Sequence, residues 1–342
     1  MTSTKRRALI VISSARQFPV VEPAGASPIS TGFYLVELAQ VLKEFEDDYE
    51  FTFATPDGNA PQLDINGLAL AFHATEKLGP ATLTTTIGQR GRRFTVDRFR
   101  QRHATLVARR EEELRLLERH LGRIPISDIL PNTERDVVAL HPEIVARLAP
   151  LPQQDFPSVE ALVRRHRDTR DEFSLSNFDF IHAPGGHAPM VDFGDDPWLG
   201  EALHVAREND VLISLICHAP IAVTSTRQRI DSEGNPYPVA DNPFQAATIT
   251  MMSKFGELIA FTASYPHIPG QRTRPTYYID EAIKKAGFKV KSSRNPSAVL
   301  VIHEPAVGLL TGNGPQAIDA QTRELRTIVS AHTGSADARQ NA

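Results

Sequence analysis

The stretch VLISLICHAP, residues 211–220, decides how this chain is read. Five of its first six residues are apolar, and Val211, Ile213 and Ile216 are β-branched. A short apolar run of this kind reads as a fully buried strand of a parallel sheet. It ends at Cys217–His218, and a second apolar run, Ile221–Val223, begins a helix just beyond Pro220. Strand, cysteine, helix is the order of an elbow that holds a nucleophile in a sharp turn. Helix N-terminal amides at such a turn stabilise a thiolate and lower its pKa. Free cysteine is also among the most buried residue types, so spacing alone leaves Cys217 either a nucleophile or a core filler.

Working outward, the same kind of strand recurs. RALIVISS (7–14) and FDFIHAPGG (178–186) are short apolar runs ending in polar or glycine turns, and YEFTFATPDG (49–58) alternates and ends in a turn. Between the first and the third of these runs, STGFYLVELAQVLKEFE (30–46) carries apolar residues at 34, 35, 38, 41, 42 and 45, which is helical spacing. Ser30 or Thr31 can cap that helix. Strand, helix, strand implies parallel pairing and a right-handed crossover. AATITMM (246–252), FKVKSS (288–293) and AVLVIHEPAVGLLTG (298–312) read as further strands. TYYIDEAIKKAG (276–287) and PQAIDAQTRELRTIVSA (315–331) read as helices, and another is expected near 196–208. The fold class is therefore α/β, a doubly wound, mostly parallel sheet sandwiched by helices. A single domain spans 6–332, with an inserted, mainly helical subdomain at 77–177 and a disordered tail at 333–342. The insert is rich in arginine: residues 90–123 hold 11 Arg against 5 Asp or Glu. That density suits an anionic substrate, although a solvated amphipathic helix is the plainer reading.

Composition narrows the classes of function. With 342 residues, 41% hydrophobic and 23% charged, the chain has the profile of an ordinary globular protein. A formal charge of −4 gives no case for nucleic-acid or membrane binding. No apolar run approaches the roughly 18 residues of a membrane span. ALIVI near the N-terminus is too short for a signal-peptide core. A lone cysteine forms no intrachain disulfide, which suits a reducing compartment, and a cytoplasmic location is expected. No P-loop or G-x-G-x-x-G follows a strand, so no cofactor is expected. His182, His187, His218, His267 and His303 are scattered without metal-ligand spacing, so no metal is expected either.

In doubly wound sheets, ligands bind at the carboxyl ends of the strands. That draws attention to APGGHAPM (183–190) beside Cys217. Gly185 and Gly186 could bring backbone amides to an oxyanion, although a glycine pair is more often just a tight turn. His187 could serve as a base, and a surface histidine is the plainer reading. Glu37 lies among Leu35, Val36 and Leu38 on the apolar face of the first helix. A carboxyl half-buried there would have a raised pKa and could exchange protons near neutrality, whereas spacing alone favours a solvated residue.

STGFYLVEL, PGGH and LICHAP, in this order and on these elements, resemble the ThiJ/PfpI superfamily, which is related to class I glutamine amidotransferase domains. ATPDGNAPQLD, ATITMMSKFGE and GLLTGNGPQAIDAQTRELRTIV resemble its glyoxalase III and holding-chaperone branch in particular. The resemblance covers 6–75 and 178–332. It implies a flavodoxin-like fold with Cys217 as nucleophile, His218 beside it, Glu37 touching the thiol, and Glu257 orienting the histidine. Amides near Gly186 and His218 would hold an oxyanion. A small carbonyl compound as substrate, no cofactor and a homodimer are what the branch implies. Other superfamily members imply two alternatives: a hydratase, lyase or hydrolase of another small electrophile such as an isonitrile, or a holding chaperone or oxidation sensor using Cys217. Ala219 and Ala188 stand where small glycines are usual, and Ala219 is expected to place a methyl at the mouth of the pocket. The insert would cap the site or extend a dimer interface.

Overall fold

A computed structural model describes residues 5–22, 28–263 and 273–340. Its core is a six-stranded sheet. In chain order the strands are β1 (Arg6–Val11), β2 (Tyr49–Ala54), β3 (Phe180–Ala183), β4 (Leu212–Ile216), β5 (Val301–Glu304) and β6 (Leu309–Gly312), and in space they run β5-β6-β4-β3-β1-β2. All neighbours are parallel except β5 and β6, which form an antiparallel hairpin at one edge. The side chains of β1 alternate: Ala8 and Ile10 enter one hydrophobic core, Leu9 and Val11 the other. Both faces are therefore covered, which is why these strands read as continuous apolar runs.

Among the described residues eleven α-helices accompany the sheet: α1 (Leu35–Phe45), α2 (Leu78–Thr85), α3 (Val96–Arg102), α4 (Ala104–Leu121), α5 (Arg135–Leu148), α6 (Val159–Arg167), α7 (Pro189–Asp192), α8 (Pro197–Glu208), α9 (Lys254–Ala263), α10 (Ile279–Lys285) and α11 (Ile318–Gln340). The first core holds α1, α4, α5 and α11, and the second holds α6, α8 and α10.

Four expectations shift. The insert is no separate lobe: Leu114, Leu117 and Leu121 of α4 share a core with Leu35, Leu38 and Leu42 of α1. Its last helix, α6, buries Val159, Leu162 and Val163 at i, i+3, i+4 on the opposite face and leads the chain from β2 toward β3. AATITMM and FKVKSS do not join the central sheet. Only Thr248–Ile249 and Lys289–Val290 are extended, and they pair with each other; the next amide, Thr250 N, is already spent on the Thr311 hydroxyl at 3.1 Å. Neither Ser30 nor Thr31 caps α1: the cap position is Tyr34, while Thr31 Oγ1 donates to Asp64 and Ser30 Oγ accepts from the Asp128 amide. Finally, α11 continues to Gln340, into the stretch read as a tail.

Candidate active site

The chain leaves β1 toward β2 on one side and returns through β3 on the other, so β1 and β3 flank a topological switch point, the usual ligand crevice of such sheets. Glu37 on α1 and the turn Pro184–His187 after β3 meet there, and Cys217 follows β4, the next strand. Cys217 has φ of +63°, in a region that L-residues occupy at a cost and that marks a tight elbow. Its amide donates to Gly312 O at 2.9 Å and its carbonyl accepts from Met252 N at 3.0 Å, which hold the strained residue in place.

The four catalytic candidates converge. Cys217 Sγ lies 3.2 Å from His218 Nδ1, and His218 Nε2 is held by Glu257 Oε1. The other Glu257 oxygen faces His187 Nε2 at 3.2 Å. Across the thiol, Glu37 Oε2 accepts from the Gly185 amide at 2.8 Å. The Gly186 amide is a hydrogen-bond partner of the Cys217 sulfur. A Cβ on Gly185 would sit 2.6 Å from Cys217 Cβ, 2.9 Å from Glu37 Oε2 and 2.9 Å from His218 N, so only glycine fits between nucleophile and carboxylate. Gly186, at φ +95°, would drive a Cβ to 2.2 Å from Gly32 O. The glycine pair is thus demanded by the site and not merely by a turn. Gly185→Ala is expected to cost about 1–3 kcal/mol of stability and to abolish alignment of the thiol, read as a lowered urea midpoint together with lost turnover.

Charge states follow from burial. Glu37 has no exposure, and desolvation pushes its pKa from 4.5 up to about 8. Burial, then the neighbouring Glu37, pushes the Cys217 thiol well up. Burial raises Glu257 too, but His187 and His218 more than reverse this and hold it below the usual carboxylate range. Burial depresses both histidines; Glu257 overrides this at His187, which ends raised, but not at His218, which stays lowered. Burial and neighbours thus favour an ionised Glu257, a neutral His218 and protonated Glu37 and Cys217, while Glu257 favours the protonated form of His187. Glu257 accepts the Nε2 proton of His218, which leaves Nδ1 as the acceptor facing the thiol. The expectation that helix amides lower the thiol's pKa is corrected: the segment after Cys217 is a 3₁₀ helix, Ala219–Arg227, and burial with the neighbouring Glu37 pushes the thiol up.

Glu37 carries a pH signature. A carboxyl with a raised folded pKa keeps a proton that the unfolded chain has lost, so its contribution is complete below pH 4.5 and falls away as pH rises to about 8. The slope is about 1.4 kcal/mol per pH unit. Glu37→Gln, which stays neutral, is expected to flatten the decline of stability from pH 5 to 8, measured by urea denaturation at several pH values.

Two expected details are relocated. Ala219 is fully buried and belongs to the core cluster with Phe193, Leu215 and Ala222, so its methyl fills the core and does not narrow a pocket mouth. The histidines that look scattered in sequence are not all apart in space. Ligand atoms of His187, His218 and Glu257 lie within 4.8 Å of one another, a set able to hold a metal ion and here engaged in hydrogen bonds. His267 falls outside the described residues.

Some residues were missed. His182, centred in the apolar β3, bridges Glu37 O (2.9 Å) and Ser214 Oγ (3.1 Å), and Gln321 Nε2 donates to the same Ser214 oxygen at 2.9 Å. Burial lowers His182 to about 4, so this neutral bridge fixes the turn of α1 that carries Glu37. A histidine inside an apolar strand was the available signal. An apolar cover was also missed: Phe18, Ile29, Tyr34, Leu130, Met190 and Phe261 form one cluster, with the Phe18 ring 5.1 Å and the Phe261 ring 5.9 Å from His187. Leu130 is the insert's contribution, and Cys217 beneath is 1% exposed.

Comparison with known proteins bears out the resemblance to the ThiJ/PfpI superfamily. The protein/nucleic acid deglycase HchA of Escherichia coli O157:H7 is 26% identical over 180 residues, 50% of this chain and 56% of that protein. The chain therefore spans about half the length of the curated relatives it matches. In fold it is similar to the Rapid Encystment Protein 24 kDa of Francisella tularensis, at a TM-score of 0.50 and 14% identity, over 95% of this chain and 99% of that one. Glyoxalase III of Candida albicans aligns at a TM-score of 0.48 and 12% identity, over 94% and 96%. No protein-family model matches the chain. No helix of the described residues is long and apolar enough to cross a membrane.

Proposed function

We propose that this chain is a cofactor-independent cysteine enzyme that converts a small 2-oxoaldehyde and water into a 2-hydroxy acid. The observation that carries this reading is the thiol 3.2 Å from His218 Nδ1, with Glu257 behind that histidine and the Glu37 carboxyl within reach of the same thiol. A sequence relative named as a protein/nucleic acid deglycase, HchA, supports an enzymatic reading of the site.

The steps use only groups of this chain and water. His218 Nδ1 takes the thiol proton, and the sulfur attacks the aldehyde carbon. The resulting oxyanion gains a proton and becomes a thiohemiacetal, held by the Gly186 amide. Glu37, or His218, removes the hydrogen from that carbon, giving an enediol, and returns a proton to the adjacent carbon, leaving a thioester. Glu37 suits this role because a pKa of about 8 lets one carboxyl both give and take a proton near neutrality. Water then cleaves the thioester, the 2-hydroxy acid departs and the thiol is restored. The buried thiol and its apolar cover keep water out until that step.

The test is purified protein with methylglyoxal, followed by lactate formation. Lactate above the blank, with saturable kinetics, is the expected result. No lactate would move the same nucleophile to another small electrophile.

A further inference from the structure

A cavity of about 350 Å³ opens between the insert and the loop that follows β2. Its walls come from α2, the 3₁₀ turn Ile87–Arg90, the start of α5 and the loop from Asn66 to Phe72. Its chemistry is uneven. Arg90 and Arg135 stand exposed at its edge against one carboxylate, Glu134. Among the described residues Arg135 has no carboxylate partner. It is stacked on the Phe94 ring at 4.4 Å and donates to the neutral carbonyls of Gln89 (3.4 Å) and Gly91 (3.3 Å), which fix the guanidinium without cancelling its charge. Three arginines of α3 and α4 are committed to carboxylates within the protein: Arg100 and Arg110 to Asp136, Arg109 to Asp319 and Glu113. Glu134 is restrained by Thr86 Oγ1 at 2.7 Å and Gln89 Nε2 at 2.6 Å, and burial raises its pKa, which softens its opposition to an anion. The rest of the lining is polar, its hydroxyls and amides already sharing bonds within the protein, as Thr82 Oγ1 does with Leu78 O and Thr133 Oγ1 with Asn66 Oδ1, with Phe72 as an apolar wall.

We propose that this cavity is a second ligand site, built for a small hydroxylated carboxylic acid and separate from the thiol. The two guanidiniums pair with the carboxylate, the amides and hydroxyls take the alcohol groups, and Phe72 covers the C–H face. The size falls near the lower end of small-molecule sites, which suits a compact acid. The proposal does not depend on the reaction proposed above. Phe72 does, however, place the site one ring from the active-site turn: it packs on Tyr34 at 5.1 Å, and Tyr34 N donates to Gly185 O.

The test is calorimetric titration of the whole chain with citrate, malate and gluconate, beside inorganic phosphate and glycerol. At least one hydroxy acid is expected to bind saturably and more tightly than phosphate or glycerol. Arg90→Met with Arg135→Met is expected to weaken it about tenfold, and Cys217→Ala to leave it unchanged. If the double variant loses its helical circular dichroism, Arg90→Met alone supplies the comparison. Saturable binding by none of the three acids, phosphate binding as tightly, undiminished binding in the arginine variants, or loss in Cys217→Ala would overturn the proposal.

Discussion

Cys217→Ser is expected to lower turnover of methylglyoxal by on the order of 10³-fold or more, with the urea midpoint nearly unchanged. Serine keeps the shape of the side chain, so the +63° elbow and its two backbone hydrogen bonds survive. What changes is the nucleophile. In this site burial and Glu37 already oppose the thiolate, and they oppose an alkoxide far more strongly, because a hydroxyl is much less acid than a thiol. In the proposed mechanism the proton reaches His218 only as the sulfur commits to the carbon. Lactate release from both proteins, measured under single-turnover conditions, separates this step from product release. Retention of most activity by the variant would sink the cysteine mechanism. The same burial argues against an oxidation sensor: reactive sensor thiols are exposed and of low pKa, whereas Cys217 is 1% exposed with its pKa raised.

What the sequence made legible was what strand ends and motifs encode. Cys217 and His218 stand at the end of an apolar run, and Gly185 and Gly186 at the end of another. A parallel sheet brings those ends to one edge, so their meeting follows from the fold class alone. Glu257 was reachable only by resemblance, since it lies 39 positions beyond His218, across a chain of short 3₁₀ turns and two-stranded pairings. Three things stayed hidden for physical reasons. The acidity of the thiol depends on desolvation, a property of the whole surround and not of the neighbouring residues. The apolar cover draws single residues, Phe18, Leu130 and Phe261, from three distant segments, and no periodicity marks them. And α6 is arginine-rich like the insert, with a narrow buried stripe of Val159, Leu162 and Val163, so composition grouped it with the insert although it packs against the second core.

Glu257→Gln is expected to reduce kcat by about 10³–10⁴-fold and stability by about 3–5 kcal/mol. Two consequences share one cause. Glu257 alone accepts from both His187 and His218, and all three are buried. A glutamine amide can present its oxygen to only one of them. If the amide nitrogen faces His218 Nε2, that nitrogen becomes the acceptor, the ring proton moves to Nδ1, and the thiol loses its base. If it faces His187 instead, that ring loses the carboxylate that favours its protonated form, in a site that water does not reach. The pH dependence separates the two effects. Because Glu257 is depressed in the folded chain, its stabilisation is present above the unfolded pKa near 4.5 and is lost as pH falls below it. The variant should therefore lose the most stability relative to the parent at neutral pH, and the gap should begin to narrow only below about pH 4.5 and close as pH falls further toward the depressed folded value. Urea midpoints across that range measure it, and kcat at pH 7 gives the catalytic loss. A variant that matched the parent in kcat would remove Glu257 from the relay and leave it only a structural partner of His187.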